Sequence, residues 1–290
     1  MNQKRPSRVY VLSVYIKRFL RWQRTSYPFL TIDAFAALAD YRFNPVRWRL
    51  SDRNLVNIVN AEVIFCKSEE LEILFRNHPG IKAKVIICGN SDFEFHKIPS
   101  GIPKSVRALF LQNSFISDNH TIFTLPIGIE NFRWGVNGNP KLLDRILNKG
   151  VKDEILVGPF GKTHPVRQEV YEELMENGGP WRVLSPERIS PAKYSKIVRN
   201  YRFVAAVRGN GIDTHRLWES LYRGNIPIIQ DDNWSRSLQY LNLPIRIIKY
   251  WSAEALRLEV ANFPIRSFES SDYDCLWMPF WKKKISDFLD

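Results

Sequence analysis

The strongest constraint in this sequence is an alternation. Short apolar runs, each of strand length, recur between segments of helical spacing along the whole chain. In the first half the runs cover residues 9–16, 62–65, 84–88, 108–112 and 121–125. Between the second and third, Leu71, Leu74 and Phe75 follow helical spacing; Ser68 with acidic residues behind it starts that helix, and Asn77 to Gly80, NHPG, stops it. The second half restarts the pattern. A strand at 154–157 leads into the loop GPFGKTHP and a helix over 166–176. NGGP breaks that helix before a short strand at 182–184. SPERISPAKYSKIVRN then gives a turn and a helix. A buried strand at 203–207, a helix at 213–222 and a strand at 226–229 follow. Strand–loop–helix units in series are best satisfied by a parallel sheet with helices on both faces. The sequence therefore predicts an α/β chain of two Rossmann-like domains, their parallel sheets facing a central cleft.

The character changes around residues 137–150, where VNGNPK reads as a turn and 142–147 as a short helix ending in NKG. This places an N-terminal domain at 1–140, a second domain at 151–265 and a C-terminal segment at 266–290. A length of 290 residues suits two compact domains. Hydrophobic residues at 44% and charged residues at 25% exclude extended disorder. Cys66, Cys88 and Cys275 have no metal-ligand spacing and read as reduced, buried thiols, which fits a cytoplasmic protein.

The net charge of +12 favours anionic partners: nucleic acid, a membrane surface or a phosphorylated ligand. Its densest cluster, Lys4, Arg5 and Arg8 with Lys17, Arg18, Arg21 and Arg24, flanks the apolar run at 9–16. That run is far below the ~20 residues of a membrane span, and no small-residue cleavage site follows it. It reads as a first strand or a basic surface element, and it also suits loose attachment to the inner, anionic face of a membrane.

The densest chemistry lies in residues 208–229, RGNGIDTHRLWESLYRGNIPII. The strand at 203–207 runs straight into Arg208, Gly209, Asn210 and Gly211, and ligands of open α/β sheets bind beyond the carboxyl ends of strands. Asp213 or Thr214 caps the next helix, whose first N–H groups favour an anion. His215, Glu219 and Tyr222 fall on one face of it, while Leu217 and Leu221 point to the core.

This segment resembles the donor-site motif of exostosin-like glycosyltransferases of the GT-B fold, of the kind that builds bacterial surface polysaccharides. Arg208, Gly209, Asp213, His215, Arg216, Glu219, Gly224, Ile226 and Pro227 stand in the matching order. Two stretches of the first half, ICGNSDF and LPIGIEN, resemble segments of such proteins more weakly. The resemblance implies a nucleotide-sugar donor, with Glu219 holding the ribose hydroxyls and Arg208 and Arg216 offsetting diphosphate charge. Positioned arginines and a helix N-terminus stabilise a leaving diphosphate without a metal or other cofactor. The acceptor implied is a glycan or lipid-linked glycan.

Other candidates are less specific. GPFGKTHPVR lacks the glycine that a Walker A loop needs five residues before its GK pair, since Leu156 stands there. Lys162, Thr163 and Arg167 still suit donor phosphates at a helix start, with Asn210 and Asp213 nearby in the motif. Asp92 and Glu130, each just after a strand, are the two candidates for the base that takes the acceptor proton. Asp231 and Asp232 read as a turn or as sugar-hydroxyl contacts rather than a metal pair, and His78, His96, His120, His164 and His215 lack zinc spacing. The C-terminal WMPFWKKKISDFL reads as a helix packing back across the domains, and Trp277, Phe280 and Trp281 also suit a membrane interface. Two rival readings remain: a non-catalytic basic protein for nucleic acid or a polyanionic glycan, and a fucosyltransferase-like or CMP-sugar-dependent enzyme. The first lacks any nucleic-acid module.

Overall fold

The computed structural model describes residues 26–43, 56–116, 119–132, 138–143, 151–187, 189–262 and 270–290. The basic run at 9–16 and most of the linker at 137–150 lie outside them. The described chain is a mixed α/β structure with two five-stranded sheets, parallel throughout.

The first sheet holds β1 (Tyr41–Arg42), β2 (Val63–Lys67), β3 (Val85–Gly89), β4 (Ala108–Leu111) and β5 (Ile122–Thr124), in chain order across the sheet. Helix α1 (Ile32–Ala36) precedes it and α2 (Leu71–Asn77) follows β2. The inner strands β2 to β4 are buried on both faces, which is why they read as apolar runs. Val63, Phe65, Val85, Ile87 and Phe110 face one core, and Ile64, Cys66, Ile86, Cys88 and Leu109 face another with Leu71, Leu74 and Phe75 of α2. Ser68 does not cap α2. It opens a short 3-10 turn, its hydroxyl is buried without a hydrogen-bond partner, and the helix starts from Glu70 with no side-chain cap.

The second sheet holds β6 (Lys152–Val157), β7 (Trp181–Val183), β8 (Tyr201–Ala205), β9 (Ile226–Gln230) and β10 (Arg246–Ile248), in the order β10-β9-β8-β6-β7. Its helices are α3 (Pro165–Glu176), α4 (Pro191–Val198), α5 (His215–Tyr222), α6 (Asn233–Ser237) and α7 (Ala253–Ala261). His164 accepts from the N–H of Val166 at the start of α3, with Pro165 at its first position. The pair at 231–232 is structural: Asp232 forms a reciprocal cap with Ser235 on α6, and Asp231 pairs with Arg236 at 2.7 Å.

The two sheets share one core. Leu217, Trp218, Leu221 and Tyr222 of α5 join Ile229 of β9 to Leu30, Phe35 and Phe110 in a single cluster. The last helix, α8 (Met278–Ser286), closes it. Trp281 is 0% exposed and meets Phe35 edge-on at 5.7 Å, and Trp277 stands edge-on to Phe29 and Tyr222. The carbonyls of Phe288 and Leu289 accept from Arg107 and Lys84 of the first sheet. Trp281 therefore has no face left for lipid, whereas Trp277 and Phe280 are only half-buried against this core. Among the described residues no helix is long and apolar enough to cross a membrane.

Candidate functional site

In the second sheet, β7 lies on one side of β6 and β8 on the other. The loops leaving β6 and β8 therefore part in opposite directions and leave a crevice at the carboxyl ends of the strands. A cavity of about 560 Å³ occupies it. Its walls are the loop after β6, the glycine turn after β8, the start of α5 and Tyr194 of α4, while Asp92 and Ile127 reach in from the first sheet. That volume lies within the ~300–1,000 Å³ usual for small-molecule sites.

Arg167 binds the two loops together. Its guanidinium donates to the carbonyls of Arg208 at 2.9 Å and Val207 at 3.2 Å on one loop, and to Thr163 Oγ1 at 2.7 Å on the other. Burial, with the nearby charge of Arg216, lowers the Arg167 pKa to about 10. Arg216 donates to the carbonyls of Gly158 at 3.1 Å and Pro159 at 3.3 Å, and lies 4.3 Å from the Tyr194 ring centroid. Burial pushes the Tyr194 hydroxyl up, and Arg216 pulls against it.

On α5, Glu219 lines the cavity and pairs at 3.4 Å with Arg223, itself almost wholly buried and also lining it. Tyr222, expected on the same face, instead turns into the shared core. Its hydroxyl accepts from the N–H of Leu30 at 3.0 Å and donates to the carbonyl of Leu276. Position 222 lies only about 20° around the helix from 215, so it is the bonds to Leu30 and Leu276, and not the spacing, that hold the ring in the core. Thr214 occupies the N-cap but makes no side-chain cap, and its Oγ1 has no hydrogen-bond partner. The start of α5 thus lacks the side-chain acceptor that usually satisfies its first N–H groups.

Asp213 does not cap α5, whose N-cap position is Thr214. It is 4% exposed, and its carboxylate accepts from the N–H of Ile127 at 2.7 Å and Trp218 Nε1 at 2.8 Å. Its own N–H donates to Asn113 Oδ1, and Asn113 also donates to the carbonyl of Ser91. Burial raises the Asp213 carboxyl to about 7 against the pull of its N–H donors. Gly211 is required beside this bond, because a Cβ there would lie 2.7 Å from Asn113 Nδ2.

The remaining candidates divide. Thr163, Arg167, Asn210, Asp213, His215, Arg216, Glu219 and Asp92 all line the cavity. Asn210 donates to Asp92 at 3.2 Å across the cleft. Arg208 is outside the lining; its guanidinium pairs with Glu94 of the first-sheet side, which also lies 3.4 Å from His96. Lys162 is exposed and lines neither this cavity nor its neighbour. Glu130 lines that neighbour, a cavity of about 220 Å³ that shares Asp92, Ile127 and His215 with the larger one. Asn113, Glu94, Tyr194 and Arg223 escaped the sequence reading. Of these only Arg223 carried a signal, four residues after Glu219 on one helix face.

Among the described residues no group of His, Cys, Asp and Glu is placed to hold a metal ion. No protein-family model matches the chain, and no curated protein matches it.

Proposed function

We propose that this chain is a nucleotide-sugar-dependent glycosyltransferase of GT-B architecture, similar to the exostosin-like enzymes, and that the larger cavity holds its donor. The observation that carries the reading is the meeting of opposite charges at the strand-order switch. The uncapped start of α5, Arg216 and Arg223 lie on one side of the cavity, and the Glu219 carboxylate is set among them. A nucleoside diphosphate has this complementarity: phosphates for the cations and helix end, ribose hydroxyls for the carboxylate. As the sugar–phosphate bond breaks, charge grows on the leaving diphosphate, and fixed arginines stabilise it without reorganising. Arg167 acts by positioning both loops, and Arg208 by joining the two sides of the cleft. The acceptor enters from the first-sheet side as a glycan or lipid-linked glycan. The basic N-terminal residues suit a peripheral position at the inner face of a membrane, with the protein itself cytoplasmic.

A thermal-shift screen with UDP-, GDP- and CMP-sugars tests this. Saturation at a hundred times Kd should stabilise the chain by about 2.7 kcal/mol for one nucleotide class. No response to any of them, with salt-sensitive binding to oligonucleotides instead, would sink the reading.

A further inference from the structure

The two cavities meet at Asp92, Ile127 and His215. Two of these carry polar side chains, and they are held differently. The Asp92 carboxylate accepts from Asn210 and so joins the two sides of the cleft. His215 Nδ1 lies 2.8 Å from the carbonyl oxygen of Gly128. A carbonyl oxygen only accepts, so Nδ1 carries the hydrogen and Nε2 keeps a lone pair. The carbonyl is itself fixed in place. Gly128 has φ +66 and is bridged to Thr31, and a Cβ there would come within 2.1 Å of the Leu30 oxygen. The imidazole is thus locked in one tautomer by backbone, at the boundary between the cavities.

The smaller cavity has the chemistry of a sugar site. Ser91, Gln112, Glu130 and Asn131 give it hydrogen-bonding edges, and Ile32 and Ile127 give it apolar faces. At about 220 Å³ it falls below the ~300–1,000 Å³ of whole-ligand pockets and suits one ring rather than a nucleotide.

Resting on the donor reading above, we infer that this cavity seats a polyhydroxylated acceptor and that His215 Nε2 takes the proton of its attacking hydroxyl. The acceptor oxygen bonds to the anomeric carbon as the bond from that carbon to the phosphate oxygen breaks. The electron pair of that bond leaves with the nucleoside phosphate, and the hydroxyl proton passes to Nε2, giving an imidazolium that later releases it to solvent. A single displacement of this kind inverts the anomeric configuration. His215 then belongs to the acceptor side of the reaction rather than to donor binding.

The test compares wild type with His215→Asn, whose amide still donates to Gly128 but has no counterpart of Nε2, and with His215→Ala. Donor affinity is read by thermal shift with UDP-, GDP- and CMP-sugars. Turnover is read as nucleoside phosphate released with water and methyl glycosides as acceptors. His215→Asn should keep donor affinity within about threefold and lose roughly 10²–10⁴ in turnover. Added imidazole should restore part of the activity of His215→Ala, which a purely structural role does not allow. Turnover near wild type in His215→Asn overturns the assignment while leaving the donor reading intact. Failure of the wild type to bind any of the donors overturns both.

Discussion

The backbone N–H of Asp213 donates to the side-chain oxygen of Asn113 at 3.1 Å, linking the glycine turn after β8 to the loop that follows β4 across 100 residues of sequence. The same Asn113 amide donates to Ser91 at 3.1 Å, beside Asp92. One side chain therefore fixes the glycine turn to the first-sheet wall of the cleft.

Asn113→Gly should keep the backbone, since Asn113 has φ +55, yet lose both bonds. Leaving the buried Asp213 N–H without its partner costs about 1–3 kcal/mol. Urea unfolding of wild type and variant measures it, and an unchanged midpoint would show that the link contributes nothing. Gly211→Ala should act at the same place by pushing the Asn113 amide away.

Asp213 makes stability depend on pH. Its carboxyl is raised from 3.8 to about 7, first by burial, so the folded chain holds a proton that the unfolded chain has released between about pH 4 and 7. The contribution tied to this group is complete below about 4 and is lost as pH rises through 7. Asp213→Asn, neutral throughout, should lose that slope. Melting temperatures of both proteins from about pH 5 to 8 decide the matter, and parallel curves would count against it.

Tyr222→Phe separates core from site. It leaves the Leu30 N–H and the Leu276 carbonyl without the hydroxyl that serves both, so stability should fall by about 1–3 kcal/mol. Nucleotide-sugar affinity, measured well below the melting temperature, should not change. A loss of affinity without a loss of stability would return Tyr222 to the donor face.

Glu219→Gln and Arg216→Lys should both weaken donor binding. Hydrogen bonds to charged groups contribute about 1.5–3 kcal/mol, so about tenfold or more in Kd is expected for each. Lysine at 216 cannot donate in two directions to the Gly158 and Pro159 carbonyls while lying flat on Tyr194. Calorimetry with the stabilising donor gives the numbers.

All three thiols should be silent in the native chain. Cys66 and Cys88 are paired across β2 and β3 with sulfurs 3.5 Å apart, both buried, and burial pushes Cys275 up to about 11. An aromatic disulfide reagent should titrate none before unfolding and three afterwards. Fast labelling of any thiol in the folded protein would contradict this burial.

The inner strands were legible because they are buried on both faces: runs such as 85–88 and 226–229 are apolar without interruption, and β3 and β9 lie there. The edge strands β1 and β10 were not, since Tyr41, Arg42, Arg246 and Ile247 are only half-buried and show no pattern in two or three residues. The glycine turn and the helix after it announced themselves by composition. What sequence periodicity could not give was the direction of Tyr222, Asp213 and Arg208, because each is held by a partner more than fifty residues away. Long-range pairing leaves no mark in local spacing.

Helix α5 carries residues of the larger cavity on one face and, on the other, completes the core against Leu30, Phe35 and Phe110. Cavity lining and core packing are thus written on opposite sides of eight residues. Transplanting the second half of this chain onto a foreign first half would strip Trp218 and Tyr222 of their cover. Recombination must therefore keep α1, β4 and α8 with α5, or confine its changes to the cavity-lining positions 216 and 219.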